Sequence, residues 1–254
     1  MRLIIGGDST IGSALFREWK RFGIPTCAST RRKHLIEASR PLIDYSRPDE
    51  LSLSESYSSA TICAGTTKIS ECEQNPIQSH RCNVSAPVEI AKKLSSKGSY
   101  ILYLSSSQVF DGSKPLRSPS EKVCPINEYG RQKVVAEREI LRLGNAAVLR
   151  ITKILSSHSS LVQKWKHRLE NGHSIFPYSN VVISPVSIEQ VISQITNLIS
   201  LESTGIWHLG GGRDVSYADY ALEKCRIWNL DESLIKPETS PEYSGIHYSS
   251  LSSV

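Results

Sequence analysis

The sequence predicts an α/β fold, a doubly wound parallel sheet with a smaller C-terminal lobe, and three observations carry that prediction. A short apolar run, Leu3-Ile4-Ile5, meets the glycine turn Gly6-Gly-Asp-Ser-Thr-Ile-Gly12, and a helix pattern begins at once. Short apolar runs then alternate with helical patterns through the first 150 residues, and strands separated by helices need crossover connections that make a mostly parallel sheet. At 254 residues the chain can bury a full core, and α/β folds of this length often form one domain.

Each element follows from pattern and punctuation. Leu3–Gly6 reads as a strand. Ile11–Phe22 reads as a helix with Ile11, Leu15, Trp19 and Phe22 on one face, stopped by Gly23. Ile24–Ser29 is a second strand and Pro41–Ile43 a short third, and Arg47-Pro-Asp-Glu50 places proline in the first turn of a further helix. Ala60–Ala64 is a strand, Asn83–Ser96 a helix ended by Gly98, and Tyr100–Ser105 a strand. A polar loop leads to a helix at Glu128–Leu143 and a strand at Ala146–Ile151. Beyond Ile151 come helices at Leu161–Glu170, Ile188–Leu201 and Tyr217–Trp228, with strands at Val181–Ser184 and Ile206–Leu209. Residues 1–150 are thus expected to form a dinucleotide-binding domain and residues 151–254 a smaller substrate-binding lobe, some of whose segments return to the sheet. The serine-rich end, with Ser249, Ser250, Ser252 and Ser253, is expected to fray.

Composition narrows the function classes. The formal charge is +5, and the one tight basic cluster is Arg31-Arg32-Lys33. Nucleic-acid binders gather charge in runs or stripes, so a small anionic ligand fits this cluster as well as a polymer does, and no nucleic-acid partner is expected. The six cysteines form no CxxC pair, which points to a reducing, cytoplasmic setting and to no metal site. Neither a signal peptide nor a membrane-spanning run is recognisable.

The glycine turn would expose backbone N–H groups at a helix N-terminus, where the helix dipole favours a pyrophosphate. Gly6 permits the tight turn and Gly12 the close helix–strand approach of a Rossmann-type dinucleotide site. Ser9 stands where a glycine normally clears space for phosphate. It fits if its φ is negative, and it then either donates to the pyrophosphate or weakens binding. By itself the motif is equally an ordinary strand–turn–helix. The end of the second strand discriminates further. A carboxylate there would accept from a ribose 2′-OH, but the chain has Ser29-Thr30-Arg31-Arg32-Lys33, and arginine suits a 2′-phosphate. NADP(H) is therefore expected over NAD(H), with a solvated basic loop as the alternative.

Ser105-Ser106-Ser107 ends the Tyr100 strand, and Tyr129-Gly-Arg-Gln-Lys133 opens the next helix, with tyrosine and lysine on one face. A phenol near pKa 10 needs a neighbouring ammonium and an oxidised nicotinamide to serve as an acid–base catalyst at neutral pH. A strand-end serine can hold a substrate carbonyl against it. Elsewhere, Lys164, Lys166, His167 and Arg168 read as a solvated helix face rather than a diphosphate site. His208 reads as a satisfied core or rim residue, and Trp165, Trp207 and Trp228 as packing groups, with a sugar or nucleobase pocket as the alternative for Trp165.

At these residues the chain resembles the extended short-chain dehydrogenase/reductase family, in its dTDP-4-dehydrorhamnose reductase-like branch. Leu104 to Gly112 is similar to that branch's Ser-Thr-Asp-Tyr-Val-Phe-Asp-Gly strand end. Pro125 to Lys133 is similar to its Pro-x-x-x-Tyr-Gly-x-x-Lys helix, and Glu71 to Pro87, Gly205 to Ser216 and His247 to Leu251 also resemble it. The resemblance implies Ser106, Tyr129 and Lys133 as the catalytic set. It implies Gly6, Ser9, Thr10, Ile11 and Gly12 at the pyrophosphate, Arg31 and Arg32 at the 2′-phosphate, and Asp44 and Tyr45 on the adenine side. Ala64, Gly65 and Thr66 would lie by the nicotinamide ribose, and Ser107, Gln108 and Arg150 would be the substrate-side residues. Ser107-Gln108 replaces the branch's Asp-Tyr pair, so the particular sugar is not inherited. The expected activity is NADPH-dependent reduction of a keto group on a nucleotide-linked deoxysugar or similar polar carbonyl. The alternatives are an epimerase or dehydratase that retains its cofactor, and a non-catalytic NADP-binding regulatory subunit. Homodimerisation stays open.

Overall fold

Leu3, Ile4 and Ile5 are fully buried in β1 (Arg2–Ile5), because a central strand of a sheet covered on both faces has no solvent side. The computed structural model describes residues 1–45, 56–156 and 159–252. After β1 come β2 (Thr26–Ala28), β3 (Ser59–Ile62), β4 (Tyr100–Ser106), β5 (Ala146–Ile151), β6 (Val181–Ile183), β7 (Gly205–Leu209), β8 (Val215–Ser216) and β9 (His247–Ser249). The helices are α1 (Thr10–Arg21), α2 (Ile69–Gln74), α3 (Pro76–His80), α4 (Ala86–Ser95), α5 (Glu128–Leu141), α6 (Ser160–Glu170), α7 (Ile188–Ser200) and α8 (Tyr217–Ile227).

One six-stranded sheet has the order β2-β1-β3-β4-β5-β7. β1 pairs in parallel with β2 on one side and β3 on the other, with Leu3 level with Cys27 and Ala60, and β3 pairs in parallel with β4. The chain leaves β1 in one direction and returns on its opposite side as β3. That reversal is a topological switch point, where open α/β sheets place ligands at the carboxyl ends of their strands.

The molecule divides into two units. The first comprises Met1–Phe110, Lys122–Arg150 and Glu189–Trp207, and the second Asp111–Glu121, Ile151–Ile188 and His208–Val254. One break falls after Arg150, while α7 lies in the first unit and the short run after Phe110 in the second. In the first unit, Leu3, Ile5, Ile62, Ile90, Ile101, Tyr103, Ile140 and Val148 share one core. Trp19 of α1 lies against α7, its indole N–H donating to Thr196 Oγ1 at 2.9 Å.

The second unit has its own three-stranded sheet, β8-β6-β9, and a core around Val162, Trp165, Leu169, Ile183, Tyr220 and Cys225. Trp165 packs edge-on to Tyr217, and Trp228 borders the same core. His208 is buried with Nδ1 3.0 Å from the Arg117 carbonyl. The serine-rich end is not frayed as far as Ser252. Tyr248 N–H donates to Gly112 O, Leu116 N–H to Ser250 Oγ and Ser252 N–H to Arg117 O.

Two other expectations change. Pro41–Ile43 is not a strand but a single bridge, Thr30 to Leu42, since Pro41 has no N–H to extend the ladder. The Asn83–Ser96 helix is regular only from Ala86, after a π-turn at Arg81–Ser85. Pro87 has no N–H to offer the Asn83 carbonyl four residues earlier, which leaves that carbonyl free for another donor. The Arg47–Glu50 helix start and Ser253 lie outside the described residues. Among the described residues no helix is long and apolar enough to cross a membrane.

Candidate active site and dinucleotide cleft

The site is built where β1 and β3 end. Gly6 has φ +90°, and a Cβ there would lie 2.7 Å from the Ala64 Cβ and 2.8 Å from its backbone nitrogen, so only glycine fits. A Cβ on Gly12 would lie 2.2 Å from the Gly6 carbonyl, which lets α1 start against the end of β1. Ser9 has φ −76° and needs no glycine. Its Oγ accepts from the Gly12 N–H at 3.0 Å, capping α1 and occupying one of the amides expected to face a pyrophosphate.

These turns border a cleft of about 620 Å³ within the first unit. Gly6, Ser9, Arg31, Arg32, Tyr45, Ala64, Gly65 and Thr66 line it, while Thr10, Ile11, Gly12 and Asp44 are not in its lining. Thr10 instead opens α1, and Gly12 is buried in the α1–β1 contact. Sequence reasoning missed Asp8, Lys68 and Cys82, which also line the cleft. A carboxylate inside a glycine turn was visible in the sequence, but no spacing rule marks it. The residues fit a dinucleotide on two counts. The glycines keep a cradle that any Cβ would fill, and Tyr45, which lines this cleft, has a buried hydroxyl with no hydrogen-bond partner among the described residues. Burial pushes that phenol well up, so it is a donor.

β4 and α5 carry the catalytic candidates. Asn127 caps α5 by accepting from the Gly130 N–H at 2.8 Å, and its amide donates to Gln108 Oε1 at 2.8 Å. Gly130 must be glycine, since a Cβ would lie 2.0 Å from the Gln108 carbonyl. This clamp sets Tyr129 beside the end of β4. Burial raises the Tyr129 phenol above its ordinary value, and a hydrogen bond with Ser106 works in the opposite direction. Ser106 Oγ also accepts from the Gln108 N–H at 3.2 Å.

Lys133 is anchored on β4. Its Nζ donates to the Tyr103 hydroxyl at 3.0 Å and to the Leu104 carbonyl at 2.9 Å, and it sits 5.7 Å from the centre of the Tyr129 ring. Burial brings the ammonium down to about 8, with Glu137 opposing. Tyr103 in turn donates to the Asn83 carbonyl at 3.2 Å, the one released by Pro87. The Asn83 side chain accepts from the Thr66 N–H at 2.8 Å and donates to Gln132 Oε1 at 2.8 Å. Asn83 thereby joins the cleft wall to the lysine. Tyr103 carries no sequence signal beyond an apolar strand, and Asn83 falls in the Glu71–Pro87 stretch that resembles the family without being marked there for a role.

Arg150, expected on the substrate side, is buried against Glu137. It is 2% exposed, its guanidinium donates to both Glu137 oxygens, at 2.7 Å for the shortest, and it lies 5.3 Å from the Phe110 ring centre. The spacing Glu137…Arg150 hid this pair, because residues on a helix and the following strand meet only in three dimensions. Ser107 is buried, and Gln108 Oε1 is taken by Asn127.

Switch-point cleft, glycine turn and the Ser–Tyr–Lys grouping together define a chain of short-chain dehydrogenase/reductase architecture. Residues 1–247 match the family described as RmlD substrate binding domain, and the chain belongs to that family, the dTDP-4-dehydrorhamnose reductase-like branch of the extended short-chain dehydrogenases/reductases. A dTDP-4-dehydrorhamnose reductase of Bacillus anthracis, solved with NADP, superposes with a TM-score of 0.87 at 18% identity, covering 99% of this chain and 89% of that one. Methionine adenosyltransferase 2 subunit beta of Mus musculus is 30% identical over 96% of this chain and 76% of its own length. A probable low-salt glycan biosynthesis reductase of Haloferax volcanii is 24% identical over 68% of this chain and 61% of its own.

Proposed function

We propose that the chain binds NADP(H) and reduces a keto group on a nucleotide-linked deoxysugar or a similar polar carbonyl substrate. The observation that carries this reading is the placement of Tyr129, a phenol that burial keeps protonated, beside Ser106 at the end of β4. A phenol in that state is an acid, suited to deliver a proton to a carbonyl oxygen that gains negative charge. Ser106 would hold that oxygen by donating its hydroxyl hydrogen. Lys133, anchored on its inner side by Tyr103 and Leu104, would present its remaining N–H toward the cofactor ribose. Gly6, Ser9 and the α1 N-terminus would hold the pyrophosphate, Tyr45 the adenosine side, and Arg31 and Arg32 the 2′-phosphate. Bound NADPH would supply the hydride. The basic β2 loop favours this reading over an epimerase or dehydratase that retains NAD.

The test is NADPH oxidation screened against 4-keto-6-deoxy sugar nucleotides. Tyr129→Phe should lower turnover about 10²-fold or more while leaving NADPH binding nearly intact. Unchanged turnover in that variant removes Tyr129 as the proton donor.

A second reading has its own support. Several vertebrate relatives named methionine adenosyltransferase 2 subunit beta align with 93–96% of the chain. Under that reading the chain is a nucleotide-binding regulatory subunit. A stoichiometric complex with a methionine adenosyltransferase catalytic subunit, and no turnover of any keto sugar nucleotide, would favour it.

A further inference from the structure

The glycine turn carries a charge for which the proposed function has no use. Asp8 lies between Gly7 and Ser9 and lines the cleft together with Arg31 and Arg32. Its Oδ1 accepts from Arg40 Nη2 at 2.6 Å. Its Oδ2 accepts from the Thr30 hydroxyl at 2.9 Å and from the Arg31 backbone N–H at 3.1 Å. Partial burial pushes this carboxyl up, but those donors and the charges of Arg40 and Arg32 outweigh it and hold the group below the usual carboxylate range. Asp8 is therefore an anion at neutral pH.

The donors have a chemistry of their own. A guanidinium, a hydroxyl and a backbone amide converge on one point beside the end of β2, which is where a dinucleotide presents its adenosine 2′ position. That is the donor set an oxyanion such as phosphate takes. Arg40 is built in rather than free. It closes the small Glu37–Arg40 bridge, its guanidinium lies 5.8 Å from the centre of the Phe16 ring on α1, and its Nε is buried with no partner among the described residues. An arginine held in this way still has a donor to give.

Resting on the dinucleotide reading of the cleft, we propose that Asp8 sets the cofactor preference. Its carboxylate occupies the donors that a 2′-phosphate would use and opposes that phosphate by charge. Arg40 offsets the opposition by neutralising Asp8, so the net preference is a balance of Asp8 against Arg31, Arg32 and Arg40. A 2′-hydroxyl cofactor escapes the penalty, and the chain discriminates less between the two forms than its basic loop alone would dictate.

The experiment is fluorescence titration of the full chain with NADPH and with NADH, in the wild type, Asp8→Asn and Arg40→Met. Asp8→Asn should tighten NADPH about tenfold and leave NADH within about twofold, since like charges at this range repel by about that much. Arg40→Met should weaken NADPH more than NADH, and this second variant keeps the test alive if one substitution fails to fold. An unchanged NADPH-to-NADH ratio in Asp8→Asn overturns the proposal. So does an equal loss of both cofactors, which would make Asp8 a loop anchor only. A selective loss of NADH overturns it as well, because Asp8 would then be an acceptor for the ribose 2′-OH. Failure of the dinucleotide reading looks different: the wild type itself binds neither cofactor.

Discussion

Lys133 gives an N–H to the Tyr103 hydroxyl at 3.0 Å, and Tyr103 gives its own hydrogen to the carbonyl of Asn83. The chain of bonds ends on a carbonyl, which accepts but cannot pass a proton on. Tyr103 therefore anchors the lysine and gives it no outlet for protons on that side. A lysine tied to the sheet in this way is positioned by β4 as much as by its own helix.

Tyr103→Phe keeps the ring and removes the buried hydroxyl that accepts from Lys133 and donates to the Asn83 carbonyl. Stability should fall by about 1–3 kcal/mol in urea unfolding. The ammonium also loses an acceptor that favours its charged form, so its pKa should drop below about 8. The sign of the linkage follows from burial. The unfolded lysine titrates at 10.5, so the cost of burying its charge is carried in full below about pH 8 and is relieved as pH rises from 8 to 10.5. The wild type should lose NADPH affinity with a midpoint near pH 8, and the variant at lower pH. A variant that is less stable but has an unshifted midpoint would show that Tyr103 is only structural.

Glu137 and Arg150 form a buried ion pair, both nearly inaccessible. Glu137→Ala should cost about 3–5 kcal/mol, because it removes the carboxylate that neutralises a buried guanidinium. Glu137→Leu combined with Arg150→Met should recover most of that loss. Denaturant midpoints of the single and double variants decide the matter, and an additive double variant would refute the pairing.

Ser9 can be separated into cap and contact. Ser9→Ala removes the acceptor of the Gly12 N–H and should destabilise the fold by about 1 kcal/mol, whereas Ser9→Gly should cost only a few tenths. Ser9→Gly also frees the Gly12 amide. If pyrophosphate binding uses that amide, NADPH should bind more tightly to Ser9→Gly than to the wild type. If instead the Ser9 hydroxyl donates to the cofactor, binding should weaken.

Local pattern revealed the parts of this chain whose causes are local. The Leu3-Ile4-Ile5 run, the periodicity of α1 and α5, and the glycines at 6 and 12 declare themselves within a few residues, so the sheet and its phosphate turn were legible. Tyr129 and Lys133 were readable as a pair because one helix turn joins them. What stayed hidden depends on distant partners. Asp8 acquires its meaning from Arg40, Arg150 from Glu137, and Lys133 from a tyrosine on another strand. The short third strand failed for a small reason of the same kind, since the pairing beyond Leu42 needed a donor that Pro41 lacks. No motif encodes the exchange of residues 111–121 and 189–207 between the units, because it is set by contacts with segments far away in sequence.

The bond from Trp19 to Thr196 has a consequence in time. The two residues stand 177 positions apart, and α7 and β7 both follow the whole of α6 and β6 in the chain. At roughly 5–20 residues per second on a ribosome, the first helix waits roughly 10–35 s for the segment that covers its tryptophan. Until then the indole and the open edge of β5 stand uncovered, and a nascent chain in that state is exposed to wrong partners. The return of one late helix to an early unit makes this sheet a structure completed late in synthesis.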